Sequence, residues 1–87
     1  MLFHTRAMTT NTNALIQTLR RRRSLPEPRV RKALRQAAGL TQEEVGAAVG
    51  VSGPTVSRWE TGHRSPRGDA LDSYAEVLAT LAREMAR

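Results

Sequence analysis

Residues 42–60 read QEEVGAAVGVSGPTVSRWE, and their spacing predicts two short helices joined by a tight turn. The first runs from Thr41 to Val49. Thr41 is placed as its N-cap, and Glu44 three residues later completes a capping box. Glu43 and Glu44 put negative charge at the positive end of the helix dipole. Gly50 follows the last periodic residue, where a C-cap of positive φ is wanted. Val51 is apolar and plugs the corner. Ser52 is the next N-cap. Gly53 and Pro54 fill the first turn of the second helix, where proline's missing N–H costs nothing. That helix ends at Glu60. Val45, Val49, Val51, Val56 and Trp59 are expected to face one interior. Gly46 sits in mid-helix, where glycine costs about 1 kcal/mol against alanine; a small residue there lets the second helix cross close to the first. Two helices at a steep angle around a glycine-containing turn describe a helix-turn-helix.

Length and charge agree with that reading. Eighty-seven residues allow one small domain. The aromatics are Phe3, Trp59 and Tyr74, so the core must be built from Leu, Val and Ala, and it is thin. There are no cysteines, hence no disulfide framework and no thiolate metal site. No apolar run approaches the ~18 residues of a membrane span. The opening MLFHTRAM has no signal-peptide core, so a cytoplasmic, nucleoid-associated protein is expected. The net charge is +6 and the sequence pI about 11.5, the footprint of a chain that meets phosphate. Charge alone does not separate duplex DNA from RNA or a merely solvated surface. Charge together with the helix-turn-helix favours duplex DNA.

Several residues then fall into a wider pattern: Leu34-Arg35, Gly39-Leu40-Thr41-Gln42-Glu43-Glu44-Val45, Val49-Gly50-Val51-Ser52, Thr55-Val56-Ser57-Arg58-Trp59-Glu60-Thr61-Gly62, Pro66, Leu71, Tyr74-Ala75 and Leu78. Over about residues 30–80 the chain resembles the phage repressor/Cro-type helix-turn-helix regulators. The resemblance implies an all-α, lambda-repressor-like five-helix domain, here with a candidate extra N-terminal helix. It implies that Arg35 pairs with Glu60 as a structural clamp. It also implies that Gln42 contacts the DNA backbone and often supports a side chain on the recognition helix, and that the loop after the second helix presents basic residues to phosphate. Arg64 is the first candidate there, with Thr61 and Arg67 behind it, and Ser52 is a further backbone candidate. The chain departs from the family at the first two positions of the recognition helix. Polar base-reading side chains are usual there; here Gly53 and Pro54 stand instead. Pro54 is left to touch a thymine methyl, and Gly53 to let the backbone approach. Direct readout falls on Thr55, Ser57 and above all Arg58, because arginine bidentate to guanine is the commonest specific contact. A plain phosphate contact by Arg58 is the competing reading.

Outside this block, residues 1–24 form a basic N-terminal extension and residues 25–87 the DNA-binding domain, with the boundary at the breaker Ser24-Leu25-Pro26-Glu27-Pro28. Residues 1–10 lack periodicity and read as disordered, and Met8 is a second candidate start. Residues 13–23 are expected to form a short helix with Leu15, Ile16 and Leu19 on one side. The run Arg20, Arg21, Arg22 and Arg23 is a candidate arm along the DNA backbone. A docking helix for another protomer and a solvated tail are the other readings. From Glu27 to Ala38 a helix is expected with Val30, Leu34, Ala37 and Ala38 inward and Arg29, Arg31 and Lys32 mostly outward, ending at Gly39. The last helix runs from Gly68 or Asp69 to Met85 with a stripe of Leu71, Tyr74, Ala75, Leu78, Ala82 and Met85, and Arg83 and Arg87 suit its C-terminal end. Relatives usually break after the Leu78 position; this chain does not. Val77, Leu81 and Met85 are therefore a candidate dimer surface, unless they cover the N-terminal segment.

No enzyme is read here. Gly-Val-Ser-Gly-Pro lacks a P-loop lysine, no nucleophile–base pair appears, and His4 and His63 have no ligand-spaced partners, so neither cofactor nor metal is expected. The expected function is sequence-specific binding of double-stranded DNA as a small transcriptional repressor and homodimer. The alternatives are an antitoxin or adapter acting through a protein partner, and a non-specific architectural DNA binder.

Overall fold

The structure is a computed structural model that describes residues 2–86, without the side chains of residues 2–11 and Arg21. Its five helices are α1 (Leu2–Ser24), α2 (Pro28–Ala37), α3 (Gln42–Val49), α4 (Gly53–Thr61) and α5 (Gly68–Met85), and the described residues hold no strand. The helix-turn-helix is α3 and α4. Around it α2 packs on α4 and α5, α3 packs on α5, and α1 lies against α5.

The turn chemistry forms as the residues dictate. Thr41 Oγ1 accepts from the Glu44 amide at 3.0 Å, and the Glu44 carboxylate accepts from the Thr41 amide at 2.8 Å, which is the reciprocal capping box. Gly50 closes α3 at φ 90°. Its amide and that of Val51 both donate to the Gly46 carbonyl at 2.8 Å. Ser52 caps α4 by accepting from the Thr55 amide at 3.3 Å. Gly46 is needed for close approach: a Cβ there would lie 2.5 Å from the Val51 carbonyl oxygen. The small residue thus admits the backbone of the turn itself.

The core is Val45, Val56, Trp59, Leu71, Tyr74 and Leu78, all buried. Leu25, Leu34, Leu40, Val49, Val51, Ala70 and Val77 pack around it half-buried. Trp59 and Tyr74 meet with ring centroids 4.7 Å apart at 43°, the tilted contact that aromatic quadrupoles favour. The five apolar positions of the helix-turn-helix do share one interior. The outer helices are less regular than their periodicity. On α2, Val30 is 45 % exposed and Ala37 is exposed. Leu34 and Ala38 turn inward as expected, and Arg35 is half-buried beside them. On α5 the stripe stays buried only to Leu78. Ala82 and Met85 lie exposed, and Ala82 borders an open apolar cleft with Ser24, Pro26, Val30 and Leu34.

The N-terminal segment differs most from expectation. It is one 23-residue helix from Leu2, rather than an irregular start and a short helix over residues 13–23. No proline or glycine precedes Pro26, so nothing interrupts it. Leu15, Ile16 and Leu19 remain exposed on it. The last helix is likewise unbroken; Arg87, expected at its end, lies outside the described residues.

Two stability outcomes follow from these contacts. Gly46→Ala is expected to lower stability by about 1–3 kcal/mol in urea denaturation, the usual cost of forced overpacking. The Tyr74 hydroxyl is buried and has no hydrogen-bond partner among the described residues, and burial pushes its pKa up to about 12. Removing an unsatisfied buried hydroxyl releases its desolvation cost, so Tyr74→Phe is expected to leave the melting temperature unchanged or raise it.

Candidate nucleic-acid interface

The position of α4 depends on one buried carboxylate. Glu60, at the end of the recognition helix, is only 6 % exposed. Arg35 from α2 grips it with two hydrogen bonds, Nε to Oε2 at 2.6 Å and Nη2 to Oε1 at 3.0 Å. This is the planar fork that suits a carboxylate. The remaining Nη1 of Arg35 donates to the Leu40 carbonyl at 2.9 Å. Gln42, at the start of α3, donates its side-chain amide to Glu60 Oε1 at 3.1 Å. This is a contact to a side chain of the recognition helix, the second of the two roles the resemblance implies for Gln42, and it braces the clamp. Glu60 therefore ties α2, α3 and α4 together.

Burial pushes the Glu60 pKa up, but the hydrogen bonds from Arg35 and Gln42 outweigh it and hold the carboxyl below its usual value. The same hydrogen bond to Glu60 raises the pKa of Arg35.

A second arginine departs from the mostly outward placement expected of it. Arg31 is half-buried. Its Nε donates to the Pro26 carbonyl at 2.7 Å and its Nη1 to the Trp59 carbonyl at 3.1 Å, so it fastens the α1–α2 linker to the last turn of α4. The signal was in the sequence: Arg31 stands four residues before Arg35, on the same side of α2.

Beside the recognition helix lies an open cleft of about 600 Å³ lined by Thr55, Arg58, Trp59, Arg64, Ser65, Pro66 and Arg67. Four of the candidate DNA residues, Thr55, Arg58, Arg64 and Arg67, come together there from α4 and the loop behind it. Arg58, Arg64 and Arg67 are exposed. The loop is held in place by its backbone. The Arg58 carbonyl accepts from the Arg64 amide at 3.2 Å and from the Thr61 hydroxyl at 3.1 Å, and Gly62 reverses the chain at φ 79°. Pro66 is buried and anchors the far end. Thr61 thus caps the end of α4 with its hydroxyl.

The remaining candidates separate. Pro54 is exposed at the front of α4, while Ser57 is half-buried. The Ser52 and Thr55 hydroxyls hydrogen-bond each other at 2.9 Å. Gly53 is the candidate the fold turns inward. It is buried, and a Cβ on it would come within 2.9 Å of the Glu43 carboxylate. Its missing side chain admits Glu43, so the expected close approach at this position is made by the protein itself. Arg20, Arg22 and Arg23 are exposed near the end of α1, and the Arg21 side chain lies outside the described residues. Among the described residues no group of three or more His, Cys, Asp and Glu side chains is arranged to hold a metal, and no helix is long and apolar enough to cross a membrane.

The clamp makes stability depend on pH in the acid range. A carboxyl whose folded pKa is depressed stabilises the protein above its unfolded pKa, about 4.3 for glutamate. That contribution is lost as pH falls from there through the folded value. Stability measured against pH is expected to drop below about pH 4.3. In Glu60→Gln the neutral-pH stability is expected to be lower and the acid drop correspondingly shallower.

No curated protein and no solved structure matches the chain. A family model described as helix-turn-helix matches residues 32–84. The matched segment begins in α2 and ends within the last turn of α5, so it contains the clamp, the turn and the basic cleft. On that match and this architecture, the chain belongs to the Cro/C1-type helix-turn-helix family of DNA-binding regulatory domains.

Proposed function

We propose that the protein is a transcriptional repressor that reads a specific site on double-stranded DNA and acts by occluding it. The observation that carries this reading is the basic cleft along α4, where exposed Arg58 stands with Thr55, Arg64 and Arg67. The helix enters the major groove with its exposed front. Arg58 addresses a guanine edge, Thr55 and Ser57 supply shorter polar contacts, and Pro54 meets a thymine methyl. Gly53 contributes no side chain. Arg64 and Arg67, with the amides and hydroxyls around Ser52 and Thr61, seat the backbone phosphates, and Gln42 orients the start of α3 from its place on Glu60. Two copies bind paired half-sites related by the protein's two-fold axis. The working place of such a protein is the nucleoid.

A partner-directed role, as antitoxin or adapter, is favoured by one observation: Leu15, Ile16 and Leu19 are 61 %, 37 % and 43 % exposed on α1, more apolar surface than a DNA-only function requires of that helix.

The deciding experiment is selection of bound duplexes from genomic fragments at physiological salt with competitor DNA, for wild type and Arg58→Ala. A site bound about 10³-fold or more above competitor, with about 1–3 kcal/mol of discrimination at one base pair lost in the variant, is the expected result. Uniform binding of all fragments, with a pattern unchanged by Arg58→Ala, overturns the reading.

A further inference from the structure

Ser65, Pro66 and Arg67 border two clefts. One is the recognition cleft already described. The other, of about 230 Å³, is lined by Arg22, Leu25, Arg31, Ser65, Pro66 and Arg67. It gathers three arginines from three elements: the last turn of α1, the first turns of α2 and the residue before α5. None of the three pairs with a carboxylate among the described residues. Cations converging without counter-charge repel one another, and more so where water is partly excluded. Arg31 has no freedom to swing away, because the Pro26 and Trp59 carbonyls hold two of its nitrogens at 2.7 and 3.1 Å. The wall is equally fixed, since Pro66 is buried. Leu25 packs against the core, which fastens the end of α1 on the other side.

We infer that this second cleft seats a backbone phosphodiester of the same duplex, outside the contacts of the recognition helix, between Arg22 and Arg67 with Arg31 behind. The inference rests on the DNA reading. It adds a phosphate seat built from α1, α2 and the loop before α5, outside the two helices of the helix-turn-helix itself. A polyanion is the fitting occupant because Arg67 lines both clefts. Each strand of duplex DNA carries one phosphate per ~3.4 Å of helix axis, and the shared wall of Ser65, Pro66 and Arg67 sets the second cleft next to the first on the path of one strand. The seat is blind to sequence, as phosphate contacts are. It also gives part of the arginine run a defined place: Arg22 lines the cleft, whereas Arg20 and Arg23 do not.

The test is a salt titration of the full chain on two duplexes, one random in sequence and one carrying the selected site, for wild type, Arg22→Gln and Arg83→Gln. Arg22 is exposed and glutamine is an equally good helix former, so melting temperatures should agree, and measuring them checks that the variants fold. Arg83 lies on the last turn of α5, outside both clefts. The expected result is a salt slope shallower by about 0.9 in Arg22→Gln, the value for one neutralised phosphate. The loss should be equal on both duplexes, with Arg83→Gln unchanged. An Arg22→Gln slope equal to wild type, or a loss matched by Arg83→Gln, overturns the seat even if Arg58→Ala abolishes site preference. A chain with no site preference but the expected Arg22 effect on random duplex keeps the seat and loses the specific-regulator reading. Absence of binding to either duplex overturns both.

Discussion

Glu60 carries a carboxylate almost out of contact with water, and the arrangement of the DNA-binding helices depends on how that charge is neutralised. Arg35 meets it with a bidentate fork, and Gln42 adds a third hydrogen bond. The three side chains belong to α4, α2 and α3, so a single buried charge fixes the mutual placement of three short helices. A buried ion pair of this kind adds little net stability over an apolar replacement, but losing one partner leaves an uncompensated charge costing about 3–5 kcal/mol. Its visible effect is to hold three helices to one carboxylate. Among the described residues the core holds six buried apolar side chains, so such a tie matters more here than in a large domain.

Arg31 extends the same logic outward. By donating to the Pro26 and Trp59 carbonyls it joins the linker after α1 to the end of the recognition helix. Two arginines one helical turn apart thus perform different tasks on one face of α2. Arg35 satisfies a carboxylate, whereas Arg31 satisfies two neutral carbonyls and keeps its charge unneutralised by any carboxylate among the described residues. The loop of residues 61–67 completes the frame through the Arg58 carbonyl and the buried Pro66. The exposed Arg58, Arg64 and Arg67 are thus carried on a backbone tied at the Arg58 carbonyl and at Pro66.

The glycines of the turn show why a residue without a side chain belongs in two neighbouring places for two reasons. Gly46 lets the Val51 carbonyl approach the axis of α3, and Gly53 lets the Glu43 carboxylate lie across the start of α4. Both approaches are internal to the protein. Further along α4, Arg58 is exposed and Thr55 and Ser57 are half-buried.

The sequence by itself determined the short-range features. Thr41, Glu44, Gly50 and Ser52 act within four residues of their partners, so the caps and turn of α3 and α4 were legible from spacing, as was the shared apolar face of Val45, Val56 and Trp59. The Arg35–Glu60 pair was legible only through the family pattern, since its partners stand 25 residues apart. Tertiary structure decided the rest. Periodicity marks an apolar stripe but not where its cover ends, so Val30, Ala82 and Met85 were read inward and stand exposed. Composition does not say whether a charged side chain meets water or a carbonyl from another element, so Arg31 was read outward and is half-buried. The gathering of Arg22, Arg31 and Arg67 around one cleft has no signature in the sequence, because the three residues come from separate elements and meet only once α1, α2 and the loop before α5 are packed together.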